Sequence, residues 1–168
     1  RSFNCSGPGR GKLLLRKNIP LVIDATGLTI LKKVGLNKRL DHVILTPHMG
    51  EAKRLLDSHE PHKEIHTLTS LGATVVLKDA VTTVYAKQYE GQLDFGNPGM
   101  AKAGSGDVLA GIIVSLLGQN YTFLEAAKYG VYLHQIAGGI ASERRGEHSL
   151  LASDIIDSIS EALLRSGK

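Results

Sequence analysis

The sequence has no tryptophan and few other aromatic residues, so that aromatic side chains make up 5% of the chain. A surface that stacks single-stranded nucleic acid needs several aromatic faces, and this composition argues against one. Cysteine is also nearly absent, with Cys5 as its one instance. This excludes a disulfide framework and a cysteine-rich zinc site, and it fits a reducing compartment. We therefore expect a cytoplasmic protein.

Long apolar runs are missing as well, and so are clusters of basic residues. No stretch approaches the ~20 apolar residues that cross a bilayer, and the polar, glycine-rich start RSFNCSGPGRGK does not resemble a signal peptide. The formal net charge is +4, but the basic residues are scattered rather than arranged as a nucleic-acid-binding arm. A mildly positive chain suits a small anionic ligand, and we expect neither a nucleic-acid nor a membrane partner.

Short apolar runs alternate with helical patterns along the chain of 168 residues, which is long enough for one domain with a core. We predict strands at Leu21–Asp24 and Val43–Leu45, and a strand pair around the turn KDAV. Helical patterns include GEAKRLL, the run beginning at Asp107, a long helix broken or closely packed at Gly138 and Gly139, and a single final helix in SDIIDSISEALLRSG. The alternation predicts a mostly parallel sheet with helices on its faces.

Ligands of such sheets bind at the carboxyl ends of the strands. Three segments of this sequence are expected there: Asp24, the turn TPHMGE and the turn KDAVT. Each follows a predicted strand directly and contains at least one ionisable side chain. The sequence therefore predicts a polar site along this edge of the sheet.

The stretch NPGMAKAGSGDVLAGII sets glycine-rich chain directly before an apolar helix. A helix N-terminus attracts phosphate through its unpaired N–H groups, and glycines let the backbone approach the anion. Asp107 is placed to remove a proton from a substrate hydroxyl while neighbouring amides hold a transferring phosphoryl group. The alternative is that Asp107 is only the N-cap of the helix. The stretch is neither a Walker A loop nor a Rossmann fingerprint.

The same stretch resembles the signature of the ribokinase-like superfamily and, more narrowly, of its ADP/ATP-dependent NAD(P)HX dehydratases. Further segments that are similar to this family, in the family's order, are GPGRG, PLVIDATGL, TPHMGEAKRLL, VVLKDAVTTVY, GVYLHQIAG and SLLASDIIDSI. The resemblance implies a ribokinase-like three-layer sandwich, with a mostly parallel sheet and helices on both faces. The family domain is longer at its N-terminus, so we expect residues 1–168 to be a C-terminal portion of it.

The resemblance also implies an activity, namely repair of NADH or NADPH hydrated at C6. ADP or ATP phosphorylates the new hydroxyl, and phosphate then leaves; Mg²⁺ is expected with the nucleotide, and no protein metal ligands are assigned. On this reading Asp107 is the catalytic base and contacts the substrate. The implied substrate-binding residues are Gly9, Gly11 and His48, and the implied nucleotide-binding residues are Lys78, Asp79, Ala80, Val81, Thr82, Asn97, Gly104, Ser105 and Gly106.

Each of these assignments has a simpler alternative. His48 is otherwise a histidine of a surface loop, the segment from Lys78 to Thr82 a plain hairpin, and Asn97 a turn residue before proline. Gly9 and Gly11 are otherwise part of an ordinary chain terminus. Asp79 stands where the family usually has glycine. His134 lies in an apolar helix, and we interpret it as a packed core residue.

Two other functions remain open from the sequence. One is a kinase of a small alcohol, of the hydroxyethylthiazole or pyridoxine type. Such enzymes share the glycine-rich turn followed by aspartate, GSGD in this sequence, and differ from the dehydratases in the substrate pocket. The other is a non-catalytic nucleotide-binding remnant. We also expect a homo-oligomer, because uncovered sheet edges and apolar helix faces must usually be covered.

Overall fold

The structure is a computed structural model that describes residues 19–36, 39–94 and 104–167. Its sheet contains, in spatial and chain order, β1 (Leu21–Ile23), β2 (Val43–Leu45), β3 (Thr74–Leu77), β4 (Thr82–Ala86) and β5 (Tyr89–Leu93). Strands β1, β2 and β3 are parallel, β4 is antiparallel to β3, and β5 is antiparallel to β4. Four of the five strands thus point the same way, which confirms the mostly parallel sheet.

Eight α-helices surround this sheet in the described residues. They are α1 (Thr26–Val34), α2 (Met49–Leu56), α3 (Pro61–Glu64), α4 (His66–Ser70), α5 (Ser105–Gly118), α6 (Phe123–Arg145), α7 (Ala152–Asp157) and α8 (Ile159–Arg165), and a 3₁₀ turn spans Glu147–Ser149. Among these described helices, none combines the length and apolar character needed to cross a membrane.

Alternation along the strands divides the core into two layers, one on each face of the sheet. Val43 and Leu45 of β2 pack with the helices α1, α2 and α4, whereas Ile44 between them packs with α5 and α6. Val75 and Val76 of β3 divide in the same way. Because successive side chains of a strand point to opposite faces, such buried strands are apolar throughout. The result is the three-layer arrangement expected from the sequence.

Helices α5 and α6 approach each other closely at Gly130. A Cβ atom built on Gly130 would lie 2.6 Å from Cγ1 of Ile113 in α5, so only glycine fits there without a shift. The predicted alternative of a break at Gly138 and Gly139 was wrong, because α6 runs through both residues. Gly138 is buried, whereas a Cβ on Gly139 would have no neighbour within 4 Å. The predicted single final helix is two helices, α7 and α8, separated at Ser158.

Candidate active site at the carboxyl edge of the sheet

Strands β1, β2 and β3 end in polar residues that meet at one edge of the sheet. Asp24 follows β1 and Lys78 follows β3. Lys78 binds the turn after β2 through its main chain, since its N–H donates to Pro47 O at 2.8 Å and its carbonyl accepts from Met49 N at 3.2 Å. This places His48, between those two residues, opposite Lys78 in a parallel bridge. The three segments predicted for this edge are therefore adjacent.

Asp24 and Lys78 form an ion pair, with 2.9 Å between Lys78 Nζ and Asp24 Oδ1. Both side chains are largely withdrawn from water, since 23% of the lysine side chain and 16% of the aspartate side chain are exposed. Removing one partner of such a pair leaves the other charge poorly solvated, so the two groups stabilise the fold only together. The sequence placed Asp24 at this edge but assigned it no partner.

The N-terminus of α5 lies directly against this ion pair. A Cβ atom on Gly106 would be 3.2 Å from Lys78 Nζ and 3.4 Å from Asp24 Oδ2. The absence of a side chain at Gly106 thus lets the ammonium group approach the first turn of the helix. A helix N-terminus and a lysine ammonium are both attractive to an anion. Their convergence gives this edge the chemistry of a phosphate site.

The turn that holds Asp24 is strained at the next residue. Ala25 has φ 46° and ψ −121°, and it is the N-cap of α1 without a side-chain cap. A non-glycine residue in such a conformation costs about 1–3 kcal/mol and persists where the surroundings enforce it. The turn is closed by a hydrogen bond of 2.8 Å from Gly27 N to Asp24 O. Strain of this kind next to a half-buried carboxylate is typical of functional sites.

His48 caps helix α2 with one nitrogen of its ring. Its Nδ1 accepts from Gly50 N at 3.0 Å, and the main-chain N–H of His48 donates to Glu51 Oε2 at 2.9 Å. Because Nδ1 accepts, the neutral ring has its proton on Nε2. About half of the side chain is exposed. The ring is therefore fixed by the cap, and its Nε2 lies 3.6 Å from Glu51 Oε1 in the turn where the sequence predicted a substrate contact.

Asp107 lies in the first turn of α5 and is exposed. The N-cap of that helix is Gly104, with φ 87°, a conformation that favours glycine. The alternative interpretation of Asp107 as the N-cap was therefore wrong. Its carboxylate still interacts favourably with the helix dipole. Sequence reasoning predicted α5 to begin at Asp107, two residues after the observed start at Ser105.

Gly104 and Asp107 line the beginning of an apolar groove of about 860 Å³ that follows one face of α5. The groove continues along Val108, Ile112 and Leu116, and α6, α7 and α8 form its other walls. Asp107 thus sits where a polar edge meets apolar surface. This is the arrangement expected for a group that acts on a partly apolar ligand.

The turn from Lys78 to Thr82 links β3 to β4 as predicted. Asp79 and Ala80 are exposed, whereas Val81 and Thr82 are half-buried. Asp79 Oδ1 accepts from Ala80 N at 2.9 Å. Asp79 is not among the described non-glycine residues with positive φ, so the backbone here does not require the family's glycine.

His134 is a buried residue of α6, as predicted, but it also contacts the glycine-rich turn. Its Nε2 lies 3.0 Å from the carbonyl oxygen of Ser105 and 3.1 Å from Ser105 Oγ. Burial lowers the pKa of His134 from 6.5 to about 4, with an opposing contribution from the Ser105 backbone and a further lowering by the Lys78 charge. No spacing in the sequence links residues 105 and 134. Gly9, Gly11 and Asn97, predicted as binding residues, lie outside the described residues.

Comparison with solved structures assigns the fold. A ribokinase-like superfamily protein from Enterococcus faecalis superposes with a TM-score of 0.79 at 27% identity, covering 98% of this chain and 60% of that one. An ADP/ATP-dependent NAD(P)H-hydrate dehydratase from Bacillus subtilis, co-crystallised with ATP and Mg²⁺, gives a TM-score of 0.76 at 26% identity, covering 90% of this chain and 57% of that one. The protein is therefore an α/β protein with the ribokinase-like fold.

Comparison of sequences assigns the family. A carbohydrate-kinase-type family model, described as NAD(P)H-hydrate dehydratase, matches residues 11–161. The ADP-dependent (S)-NAD(P)H-hydrate dehydratase of Neisseria meningitidis is 40% identical over 149 residues, which are 81% of this chain and 50% of that protein. The bifunctional NAD(P)H-hydrate repair enzyme Nnr of Thermofilum pendens is 37% identical over 154 residues, 86% of this chain and 29% of that protein. The chain belongs to the NAD(P)H-hydrate dehydratase family, and it spans half or less of these two curated relatives.

Proposed function

We propose that this protein uses ADP or ATP to dehydrate the S form of hydrated NADH or NADPH. The observation that supports the proposal best is the meeting of Lys78, Asp24 and Gly106 at the N-terminus of α5, immediately before Asp107. The phosphates of a nucleotide suit a helix N-terminus that lies beside a cation and has a glycine, whose missing side chain leaves the approach open. An exposed carboxylate one residue further on suits a base for the hydroxyl that is to be phosphorylated. Family membership supplies the substrate class.

The proposed reaction has two steps. The oxygen of the C6 hydroxyl attacks the terminal phosphorus of the nucleotide while Asp107 takes the hydroxyl proton. The nucleotide, shortened by one phosphate, then leaves. The C6–O bond then breaks with release of inorganic phosphate, C5 loses a proton, and the C5=C6 double bond of the dihydropyridine is restored. Catalysis of the first step rests on positioning and on stabilising charge at the transferring phosphoryl group, which the α5 amides and Lys78 would provide.

In this proposal the other predicted residues divide between the two ligands. His48 presents its Nε2–H to the dinucleotide, and the segment from Lys78 to Thr82 lies beside the adenylate. Gly104, Ser105 and Gly106 surround the transferring phosphate. Gly9, Gly11 and Asn97 keep their sequence-based assignments to substrate and nucleotide. These roles follow from the family resemblance together with the adjacency of the turns at the sheet edge.

Mg²⁺ fits this edge as a companion of the nucleotide. The described residues contain no group of three or more histidine, cysteine, aspartate or glutamate side chains arranged to hold a metal. Mg²⁺ in phosphoryl-transfer sites is usually held by one or two carboxylates together with substrate phosphates and water. Because Asp24 is paired with Lys78 and Asp107 acts as the base, we assign the ion no protein ligand, and the nucleotide phosphates and water would hold it. The ion would neutralise phosphate charge.

We also propose that residues 1–168 form a single ribokinase-like unit that corresponds to a C-terminal portion of the family domain, and that the protein is cytoplasmic and homo-oligomeric. Exposed apolar side chains support a covered surface: Ile156 of α7 and Leu163 and Leu164 of α8 are 55%, 45% and 76% exposed. Light scattering tests this part directly. A monodisperse monomer would contradict the oligomer without affecting the catalytic proposal.

Restoration of NADH is the decisive test of activity. The protein is incubated with enzymatically prepared hydrated NADH and either ADP or ATP, and the absorbance of NADH is followed together with release of inorganic phosphate. We expect stoichiometric appearance of NADH and phosphate, with neither formed when nucleotide is omitted. A stable phosphorylated product without NADH would instead identify an alcohol kinase, and the absence of nucleotide turnover would favour a non-catalytic remnant.

A further inference from the structure

The close contact between α5 and α6 brings a buried imidazole to the glycine-rich turn. Gly130 allows α6 to approach Ile113 of α5. His134 follows Gly130 by four residues and so lies on the same face of the helix, one turn further along. Its side chain is 7% exposed, and it reaches Ser105, the first residue of α5, which is 6% exposed. Neither residue is reached by bulk water.

The contact defines which nitrogen of His134 holds the proton. Nε2 lies 3.0 Å from the main-chain carbonyl oxygen of Ser105. A carbonyl oxygen only accepts hydrogen bonds, so Nε2 must donate. The Ser105 hydroxyl oxygen, 3.1 Å from the same nitrogen, is then a second acceptor. Because burial holds the pKa of the imidazole at about 4, the ring stays neutral near pH 7 with a single N–H.

The carbonyl of Ser105 and the N–H of Gly106 belong to one peptide unit. That unit is planar and trans, so its C=O and N–H point in opposite directions. A hydrogen bond that fixes the Ser105 carbonyl towards α6 therefore fixes the Gly106 N–H in the reverse direction, out of the helix N-terminus. Gly106 also lies beside Lys78, since a Cβ atom built on it would be 3.2 Å from Lys78 Nζ.

We propose that His134 is a positioning residue that aims the first amides of α5 at the nucleotide phosphate by holding the Ser105 carbonyl. The identity of the phosphate ligand rests on the function proposed above, whereas the hydrogen bond and its effect on the turn do not. His134 acts through Ser105 and Gly106 and does not itself touch the reacting groups.

The chain offers a matched control at the next position of α6. Gln135 is 5% exposed, and its Nε2 donates to a backbone carbonyl, that of Leu93 at the end of β5, at 3.1 Å. His134→Leu and Gln135→Leu thus each remove a hydrogen bond from the same helix to a main-chain oxygen, and His134→Leu also removes the contact with Ser105 Oγ. Only the first of the two bonds ends on the glycine-rich turn. His134→Gln keeps an N–H donor at the tested position.

The first measurement is the dissociation constant for ADP, by titration calorimetry of the four proteins. We expect His134→Leu to weaken ADP binding by about five- to tenfold, the usual effect of one lost hydrogen bond. His134→Gln and Gln135→Leu should remain within about twofold of the original protein. If His134→Leu binds ADP normally, or if Gln135→Leu weakens binding equally, the proposal is wrong.

The second measurement needs no nucleotide and no activity. In the ¹⁵N spectrum of the original protein, Nε2 of His134 should be the protonated ring nitrogen, and ¹⁵N relaxation should report a rigid backbone from Ser105 to Asp107. His134→Leu should lower the order of these amides, and Gln135→Leu should not. An unprotonated Nε2 overturns the proposal even if His134→Leu does not fold. If the turn responds as expected but hydrated NADH is not converted, the proposed function fails and the positioning role stands.

Discussion

The buried imidazole of His134 makes the stability of the fold depend on pH in a way that can be measured separately from any activity. Burial lowers its pKa from 6.5 to about 4. The unfolded chain takes up this proton near pH 6.5, whereas the folded protein does not do so until about pH 4. The free energy of unfolding therefore has its full value above about pH 6.5 and falls as the pH drops through this window.

The size of the effect follows from the two pKa values. Their separation corresponds to about 3 kcal/mol, at ~1.4 kcal/mol per pKa unit, and most of it is lost by pH 4.5. This is a large fraction of the ~5–15 kcal/mol that stabilises a typical domain. It is an upper value, because a local opening between α5 and α6 would let the ring protonate without global unfolding.

Urea denaturation of the original protein and of His134→Gln, each at pH 7 and pH 4.5, isolates this contribution. Carboxylates and the other histidines titrate in both proteins, so their effects cancel in the difference between the two free energies of unfolding. We expect that difference to shift by about 2–3 kcal/mol in favour of the variant at pH 4.5. The corresponding difference for Gln135→Leu should not change with pH. Equal differences for His134→Gln at both pH values would refute the buried, neutral imidazole.

Four other substitutions test the edge and the packing beneath it. Asp107→Asn should reduce turnover of hydrated NADH by ~10²–10⁴-fold with little change in ADP affinity, because only basicity is lost; normal turnover in a coupled NADH assay would exclude a catalytic base. Asp24→Asn should lower the free energy of unfolding by about 1–3 kcal/mol. Saturating ADP should narrow the gap in stability between this variant and the original protein, because the nucleotide supplies negative charge to Lys78. A gap in melting temperature that ADP leaves unchanged would contradict a shared anion site. Gly130→Ala should destabilise the fold by about 1–3 kcal/mol through overpacking. Gly139→Ala has open space around it and should be neutral or stabilising by up to about 1 kcal/mol. Equal shifts in melting temperature for the two variants would contradict the close contact between α5 and α6 at Gly130.

The strands and the edge they share could be predicted because they depend on local patterns. Apolar runs closed by Asp24 and by the turns TPHMGE and KDAVT indicate strand ends, and parallel strands bring their ends together. The helix after the glycine-rich turn was predicted within two residues of its start. The family resemblance then supplied candidate roles for these segments, including residues that composition alone would leave unassigned.

Contacts between distant elements could not be predicted in the same way. Asp24 and Lys78 are 54 residues apart, and their pairing depends on the register of three strands. The contact of His134 with Ser105 depends on which face of α6 meets α5. The sequence analysis singled out Gly138 and Gly139 of α6, whereas the close contact with Ile113 of α5 lies at Gly130. A single sequence gives the periodicity of a helix but not its rotation about its own axis.

The charges at the sheet edge explain why a carboxylate stands beside a site for an anion. The Lys78 ammonium and the N-terminus of α5 are both positive, and Gly106 brings them into contact. The Asp24 carboxylate, bound to Lys78 and close to Gly106, offsets both charges in the protein without ligand. A phosphate brings negative charge of its own, so we expect Asp24 to lower the affinity for the proposed phosphate ligand. The strained backbone at Ala25 is then the local cost of keeping this carboxylate between the strand end and the helix.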